Sequence, residues 1–345
     1  MTFGILGSGS WGTALAKILT DNGNTINWWI RSEAAIKFIT ERHHNPQYLS
    51  TAHFDIAKLH LSTSVIDVIK NSDCIIIAVP SAYVNDALGS LDNIIFNKKK
   101  IISAIKGILP ENNLLLNEYL KNKFKVELNN YFALLGPCHA EEVAAEKLSY
   151  LTFSGIDETT TIQLAGYFKT SYLNTVINTD IYGVQYAATL KNIYAVGAGM
   201  AHGLDYGDNF LSVLISNSAD EMAGFLKMAG IKNIEVGHTY ERPLINNHHS
   251  DNYAASVYLG DLLVTCYSLH SRNRSFGNMI GKGYTVKAAQ LEMNMVAEGY
   301  NASKCMHIIN KTINANMPIS NTIYKILWEN LPVSEGFAII EEVLV

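Results

Sequence analysis

Three glycines spaced Gly7-x-Gly9-x-x-Gly12 stand between an apolar run, Phe3-Gly-Ile-Leu6, and an apolar-periodic stretch that opens near Trp11. The layout reads as a strand, a glycine turn and a helix start. It suits the diphosphate of a dinucleotide, because Gly7 permits the tight turn and Gly9 lets a pyrophosphate approach the backbone. Gly12 lets helix and strand pack closely, and the anion sits at the helix N-terminus. A second strand, Asn27-Trp-Trp-Ile30, ends in Arg31-Ser32 rather than in the carboxylate that binds a ribose 2′-hydroxyl. A cation there suits a 2′-phosphate, so NADPH/NADP is expected, and Glu33 nearby leaves NADH/NAD open. Taken alone, Arg31 is a solvated charge at a strand end.

The elements that must hold these residues alternate in the first half of the chain, short β-like runs with helical stretches. Strands are expected at Thr2 to Leu6, Thr25 to Ile30, Cys74 to Val79, Lys100 to Ile105 and Tyr131 to Leu135, with weaker ones at Ser149 to Ser154 and Tyr172 to Ile177. This pattern predicts an α/β Rossmann-type N-terminal domain with a mostly parallel sheet. Pro80-Ser81, Lys106-Gly107 and Gly136-Pro137 follow strands, beyond the carboxyl ends where such sheets bind ligands. From about Asp180 the texture becomes helical, which predicts an all-α C-terminal domain. The expected domains are 1–179 and 180–345.

Composition narrows the classes. The chain has 345 residues, 48% of them hydrophobic and 17% charged, enough for a sizeable core and against disorder. A net charge of -5 gives no reason to expect nucleic acid or an anionic membrane as a partner. Cys74, Cys138, Cys266 and Cys305 are scattered, with no spacing typical of a disulfide framework or a zinc site, so a reduced, cytoplasmic protein without metal is expected. His43-His44 and His248-His249 have no carboxylate at ligand spacing. No signal-like segment precedes the first strand, and no apolar stretch of about 18 residues is present, so neither secretion nor a membrane span is expected.

Further segments carry more specific information. They are Lys106-Gly107, Gly136-Pro137-Cys138-His139-Ala140-Glu141-Glu142, Lys191-Asn192, Gly260-Asp261, Ser271-Arg272-Asn273-Arg274 and Val296-Ala-Glu298-Gly299. In this order and spacing the chain resembles the bacterial-type NAD(P)-dependent glycerol-3-phosphate dehydrogenase family, from the first strand to at least Gly299. The resemblance implies reduction of dihydroxyacetone phosphate to sn-glycerol 3-phosphate for phospholipid synthesis, commonly by a homodimer. It implies that Lys191 is the general acid/base and that Lys106 is a second substrate lysine. A desolvated lysine near another cation can have its pKa lowered into the range useful for proton transfer. The resemblance likewise implies that Asp261 orients the lysines and meets substrate, and it implies the phosphate, substrate and cofactor contacts that follow. Ser271, Arg272 and Asn273 bring a hydroxyl, a guanidinium and an amide to the phosphate, and Gly136 and Cys138 meet the substrate. Ser10, Trp11, Ala140, Val296 and Glu298 line the cofactor, with Lys106 and Arg272 reaching it as well.

Two features depart from the family pattern. Cys138 occupies a position where serine is common, and a thiol donates weakly, so contact through its backbone amide is expected. A Cys beside His139 also suggests a nucleophile, although no acyl substrate is implied. The segment between Gly237 and Gly260, with Arg242, His248, His249 and Asp251, is longer than usual and reads as a surface insertion before a lid or dimer contact. Two rival functions remain: a related two-domain hydroxyacid or phosphogluconate dehydrogenase, and a non-catalytic NADPH-sensing module. The Lys-Asn pair suits the first as well, but Ser271-Arg272-Asn273 favours a small phosphate ester. A sensing module has no need of the lysines and Asp261.

Overall fold

A computed structural model of the chain describes residues 1–231, 256–293 and 297–345. It separates into two compact units. One contains Met1–Ile105 and Leu115–Ile181; the other contains Lys106–Leu114 and the described residues from Tyr182 to Val345.

The first unit is an eight-stranded sheet of β1 (Phe3–Leu6), β2 (Ile26–Trp29), β3 (Leu59–Ser62), β4 (Cys74–Ile77), β5 (Lys100–Ser103), β6 (Tyr131–Leu135), β7 (Ser149–Ser154) and β8 (Leu173–Asn178). Their order across the sheet is β3-β2-β1-β4-β5-β6-β7-β8. Pairing is parallel except between β6 and β7. Its helices are α1 (Ser10–Asp21), α2 (Glu33–Arg42), α3 (Val65–Lys70), α4 (Val84–Leu88), α5 (Leu116–Phe124), α6 (Ala140–Ala144) and α7 (Glu158–Phe168). Every residue of β1, β4 and β6 is buried, as continuous apolar runs covered on both faces require. All seven strands expected from the sequence form, with ends shifted by at most a few residues. β3 was not expected: Leu-His-Leu-Ser alternates apolar and polar residues over only four positions, too short a pattern to mark a strand, and it becomes one by pairing with the edge of β2.

The second unit is helical, with α8 (Ile181–Gly203), α9 (Asp208–Met228), α10 (Asp261–Tyr267), α11 (Arg272–Gly281), α12 (Val286–Glu292), α13 (Glu298–Ile313), α14 (Pro318–Trp328) and α15 (Val333–Glu341). α8 is buried on nearly every side from Gly183 to Ala201, so it is the unit's central helix. Glycines let its neighbours reach its backbone. A Cβ at Gly277 of α11 would lie 1.9 Å from Val196 O, and one at Gly199 of α8 would lie 2.0 Å from Arg274 O. Among the described residues no helix is long and apolar enough to cross a membrane.

Candidate active site

In the first unit, β1 and β2 run side by side with Leu6 opposite Trp29, so the turn after β1 and Arg31 after β2 leave the sheet at the same edge. Gly7 has φ +124°, and a Cβ there would sit 2.8 Å from Ala78 O at the end of β4. A Cβ at Gly12 would come within 2.2 Å of Gly7 O, whereas one at Gly9 would meet nothing within 4 Å. Gly7 and Gly12 are thus demanded by close packing, and Gly9 opens the backbone toward free space. These are the requirements of a diphosphate cradle, so the turn fits a dinucleotide. Ser10 and Trp11 begin α1 directly beyond it. Arg31 is exposed, next to Ser32, whose hydroxyl caps α2 by accepting from Ala35 N at 3.3 Å.

Two strands further along, Gly136 follows directly on β6 with φ +132°, facing Tyr150 O of β7. The Cys138 amide donates to Gly136 O at 2.8 Å, and the buried thiol lies 3.5 Å from Tyr150 O. Both polar groups of Cys138 are therefore engaged within the turn, including the amide expected to meet substrate. Ala140 is the buried first residue of α6.

The second unit holds the charged cluster. Lys191, on the central helix α8, and Asp261, the first residue of α10, are only 3% and 1% exposed, and Lys191 Nζ bonds Asp261 Oδ1. A π-helical turn, Ser256–Gly260, delivers Asp261 to that position. Burial pushes the Lys191 ammonium down to about 8, against the attraction of Asp261 and with help from the charge of Lys106. The adjacent Cys266 thiol is pushed up to about 12 by burial and stays neutral. Asp261 Oδ2 is buried and has no hydrogen-bond partner among the described residues, so it retains the capacity to accept a further hydrogen bond.

Asparagines set the register of this cluster. Asn192 Nδ2 donates to Lys106 O at 2.8 Å, tying the segment of the second lysine to the helix of the first. Asn192 Oδ1 accepts from Asn273 Nδ2 at 2.9 Å, and Asn273 Oδ1 accepts from Gly299 N at 2.9 Å. Asn273, expected to contact phosphate, is thus largely committed to holding the starts of α11 and α13 in place. Ser271 caps α11 by accepting from Arg274 N at 3.3 Å, and Arg272 and Glu298 are the first residues of α11 and α13. The structure brings Lys106, Lys191, Asp261 and Asn273 into one network. Asn192 was visible beside Lys191 in the sequence, but nothing there showed that its side chain would reach back to residue 106. Val296 and the insertion carrying Arg242, His248, His249 and Asp251 lie outside the described residues. Among those described, no three His, Cys, Asp or Glu side chains are placed to hold a metal ion, and all four cysteines are free and buried.

Comparison with known proteins agrees with this geometry. The profile of the NAD-dependent glycerol-3-phosphate dehydrogenase N-terminus matches residues 2–161, and that of the C-terminus matches residues 180–338. Glycerol-3-phosphate dehydrogenase (NAD(P)+) of Staphylococcus saprophyticus is 32% identical over 336 residues, covering 96% of this chain and 95% of that protein. The enzyme of the same name from Chlorobium limicola is 33% identical, over 97% and 96%. The crystal structure of glycerol-3-phosphate dehydrogenase from Coxiella burnetii superposes with a TM-score of 0.87 at 25% identity, over 99% of this chain and 98% of that one. A D-mandelate dehydrogenase structure, with a TM-score of 0.54 and 14% identity over 99% of each chain, shares the fold alone. With both halves matched in order by one family, the chain belongs to the NAD-dependent glycerol-3-phosphate dehydrogenases.

Proposed function

We propose that the protein reduces dihydroxyacetone phosphate to sn-glycerol 3-phosphate, reversibly, with NADPH as the better donor. The observation that carries this reading is the buried Lys191–Asp261 pair, its ammonium depressed to about 8 and influenced by the charge of Lys106. A bound nicotinamide supplies the hydride for the substrate's carbonyl carbon. Lys191 gives its proton to the carbonyl oxygen as negative charge develops there, and the reverse reaction uses neutral Lys191 as base. Asp261 keeps Lys191 aimed and offers Oδ2 to a substrate hydroxyl, while Lys106 polarises the carbonyl or holds a hydroxyl. Ser271 and Arg272 are the main groups for the phosphate with Asn273 beside them, and Gly136 and Cys138 line the substrate by contact rather than through the Cys138 amide or thiol, which Gly136 and Tyr150 engage.

On this reading Gly7, Gly9, Ser10, Trp11, Gly12, Arg31, Ala140, Val296 and Glu298 hold the dinucleotide, with Lys106 and Arg272 touching it. The dinucleotide domain corresponds to the expected 1–179 without Lys106–Leu114, which group with the substrate domain expected over 180–345. Arg31 at the edge of the glycine turn supports NADPH over NADH. The family resemblance supports a cytoplasmic homodimer, without a nucleic-acid partner, that feeds glycerophospholipid synthesis.

The deciding assay follows NADPH oxidation with dihydroxyacetone phosphate beside unphosphorylated dihydroxyacetone, NADP reduction with 6-phosphogluconate, and the NADH reaction in parallel. Turnover of the phosphorylated ketone alone is expected, with higher kcat/KM for NADPH. Turnover of phosphogluconate would transfer the protein to a related dehydrogenase, and tight NADPH binding without any turnover would make it a sensor.

A further inference from the structure

The glycine turn is held from behind by two buried side chains far away in sequence. Trp28 of β2, fully buried, donates Nε1–H to Gly7 O at 2.9 Å. Asn45, only 3% exposed in the segment after α2, donates Nδ2–H to Ser8 O at 3.0 Å and to Thr13 Oγ1 at 2.9 Å. Its Oδ1 accepts from Gln47 N at 3.0 Å and Tyr48 N at 3.2 Å. Two donors and two lone pairs are all that an asparagine side chain has, so its orientation is completely specified.

Pinning those carbonyls has a consequence across the peptide plane. In a trans peptide the C=O and the following N–H point in opposite directions. Holding Gly7 O and Ser8 O from behind therefore aims the amides of Ser8 and Gly9 forward, as two consecutive donors of an anion-binding nest. Neither amide donates to a protein acceptor among the described residues, and the space above Gly9 is open.

We propose that Asn45 is a positioning residue for the dinucleotide: it locks the Ser8–Gly9 peptide so that the Gly9 amide meets the diphosphate, and the turn is set before the cofactor arrives. The proposal rests on the assignment of Gly7 to Gly12 as the dinucleotide turn. Without Asn45 the Ser8–Gly9 peptide is free to rotate, only a fraction of molecules presents the amide correctly, and the apparent Kd rises by the inverse of that fraction.

The test is titration of NADPH, and separately of adenosine 2′-monophosphate, which lacks the diphosphate, into wild type, Asn45→Ala and Asn45→Asp. In Asn45→Ala the NADPH Kd is expected to rise about tenfold, with the adenosine 2′-monophosphate Kd and the kcat at saturating NADPH both within about twofold of wild type. Asn45→Asp keeps an acceptor for Gln47 and Tyr48 but has no donor for Ser8 O. It is expected to lose at least as much NADPH affinity, and it serves as the deciding variant should Asn45→Ala fail to fold. Unchanged NADPH affinity in a folded variant, or equal weakening of both ligands, overturns the proposal. Wild-type protein that binds neither NADPH nor NADH overturns the dinucleotide assignment with it, whereas wild-type binding and indifferent variants overturn the positioning role alone.

Discussion

A lysine with its ammonium near neutrality is useful in both directions of a carbonyl reduction, and Lys191 reaches that state through burial rather than through loss of its partner. Asp261 alone would hold the proton more tightly; desolvation outweighs it, and the charge of Lys106 adds to the downward push. The sign of the pH dependence follows. In the proposed mechanism reduction needs protonated Lys191, so kcat/KM for dihydroxyacetone phosphate should fall as pH rises through about 8, while oxidation of glycerol 3-phosphate should rise through the same range and level off. Lys191→Ala should lower turnover at least ~10²-fold and remove both limbs. Near-normal turnover in that variant would assign the proton to another group. Cys138 is outside this chemistry: its amide and thiol are engaged by Gly136 and Tyr150, with no developing charge for a thiolate to serve.

The elements matter because they fix where these side chains stand. α8 carries Lys191 and Asn192, and the start of α11 carries Ser271, Arg272 and Asn273, the residues proposed for the phosphate. Their spacing is set by backbone contact at Gly199 and Gly277, where no Cβ fits. Gly277→Ala would force the two helices apart. Overpacking of this kind costs about 1–3 kcal/mol, so thermal unfolding should move to lower temperature. Because Arg272 and Asn273 move with α11, the KM for dihydroxyacetone phosphate should rise as well. A variant with both Tm and KM at wild-type values would mean that the helices do not depend on this crossing. Asn273 shows how much of a proposed binding site is scaffolding: its amide joins α8 to the start of α13, so in the proposed function the phosphate falls mainly to Arg272 and Ser271.

For the molecule as a whole, one buried carboxyl that ties stability to pH near neutrality is Glu221. It is 7% exposed on α9, accepts from Ile319 N and Ser320 N at the start of α14, and accepts from Tyr194 OH on α8, so one carboxyl joins three helices. Burial raises it from 4.5 to about 7 despite those donors. A carboxyl whose folded pKa lies above its unfolded one stabilises most at low pH, and that contribution is lost as pH rises from 4.5 through 7. The full change is worth about 3 kcal/mol. Glu221→Gln stays neutral throughout, so wild type should lose stability relative to this variant between pH 5 and 7.5. Parallel Tm profiles would show that Glu221 is ionised across the whole range.

Local spacing along the chain already encodes several parts of this protein. The glycine turn and the apolar strands buried on both faces are each short enough for side-chain type and backbone preference to act within a few residues, whereas the blocks around Lys191, Asp261 and Ser271 were legible only through their resemblance to a family. Only the tertiary structure decided what depends on residues distant in the chain. It made Leu59–Ser62 a strand by giving it an edge to pair with, and it reversed β7 against β6. It also grouped Lys106–Leu114 with the helical unit and joined Asn45 to a turn 37 residues earlier. Such choices depend on which buried polar groups find partners and which surfaces close-pack, and both are settled only when the whole chain has folded.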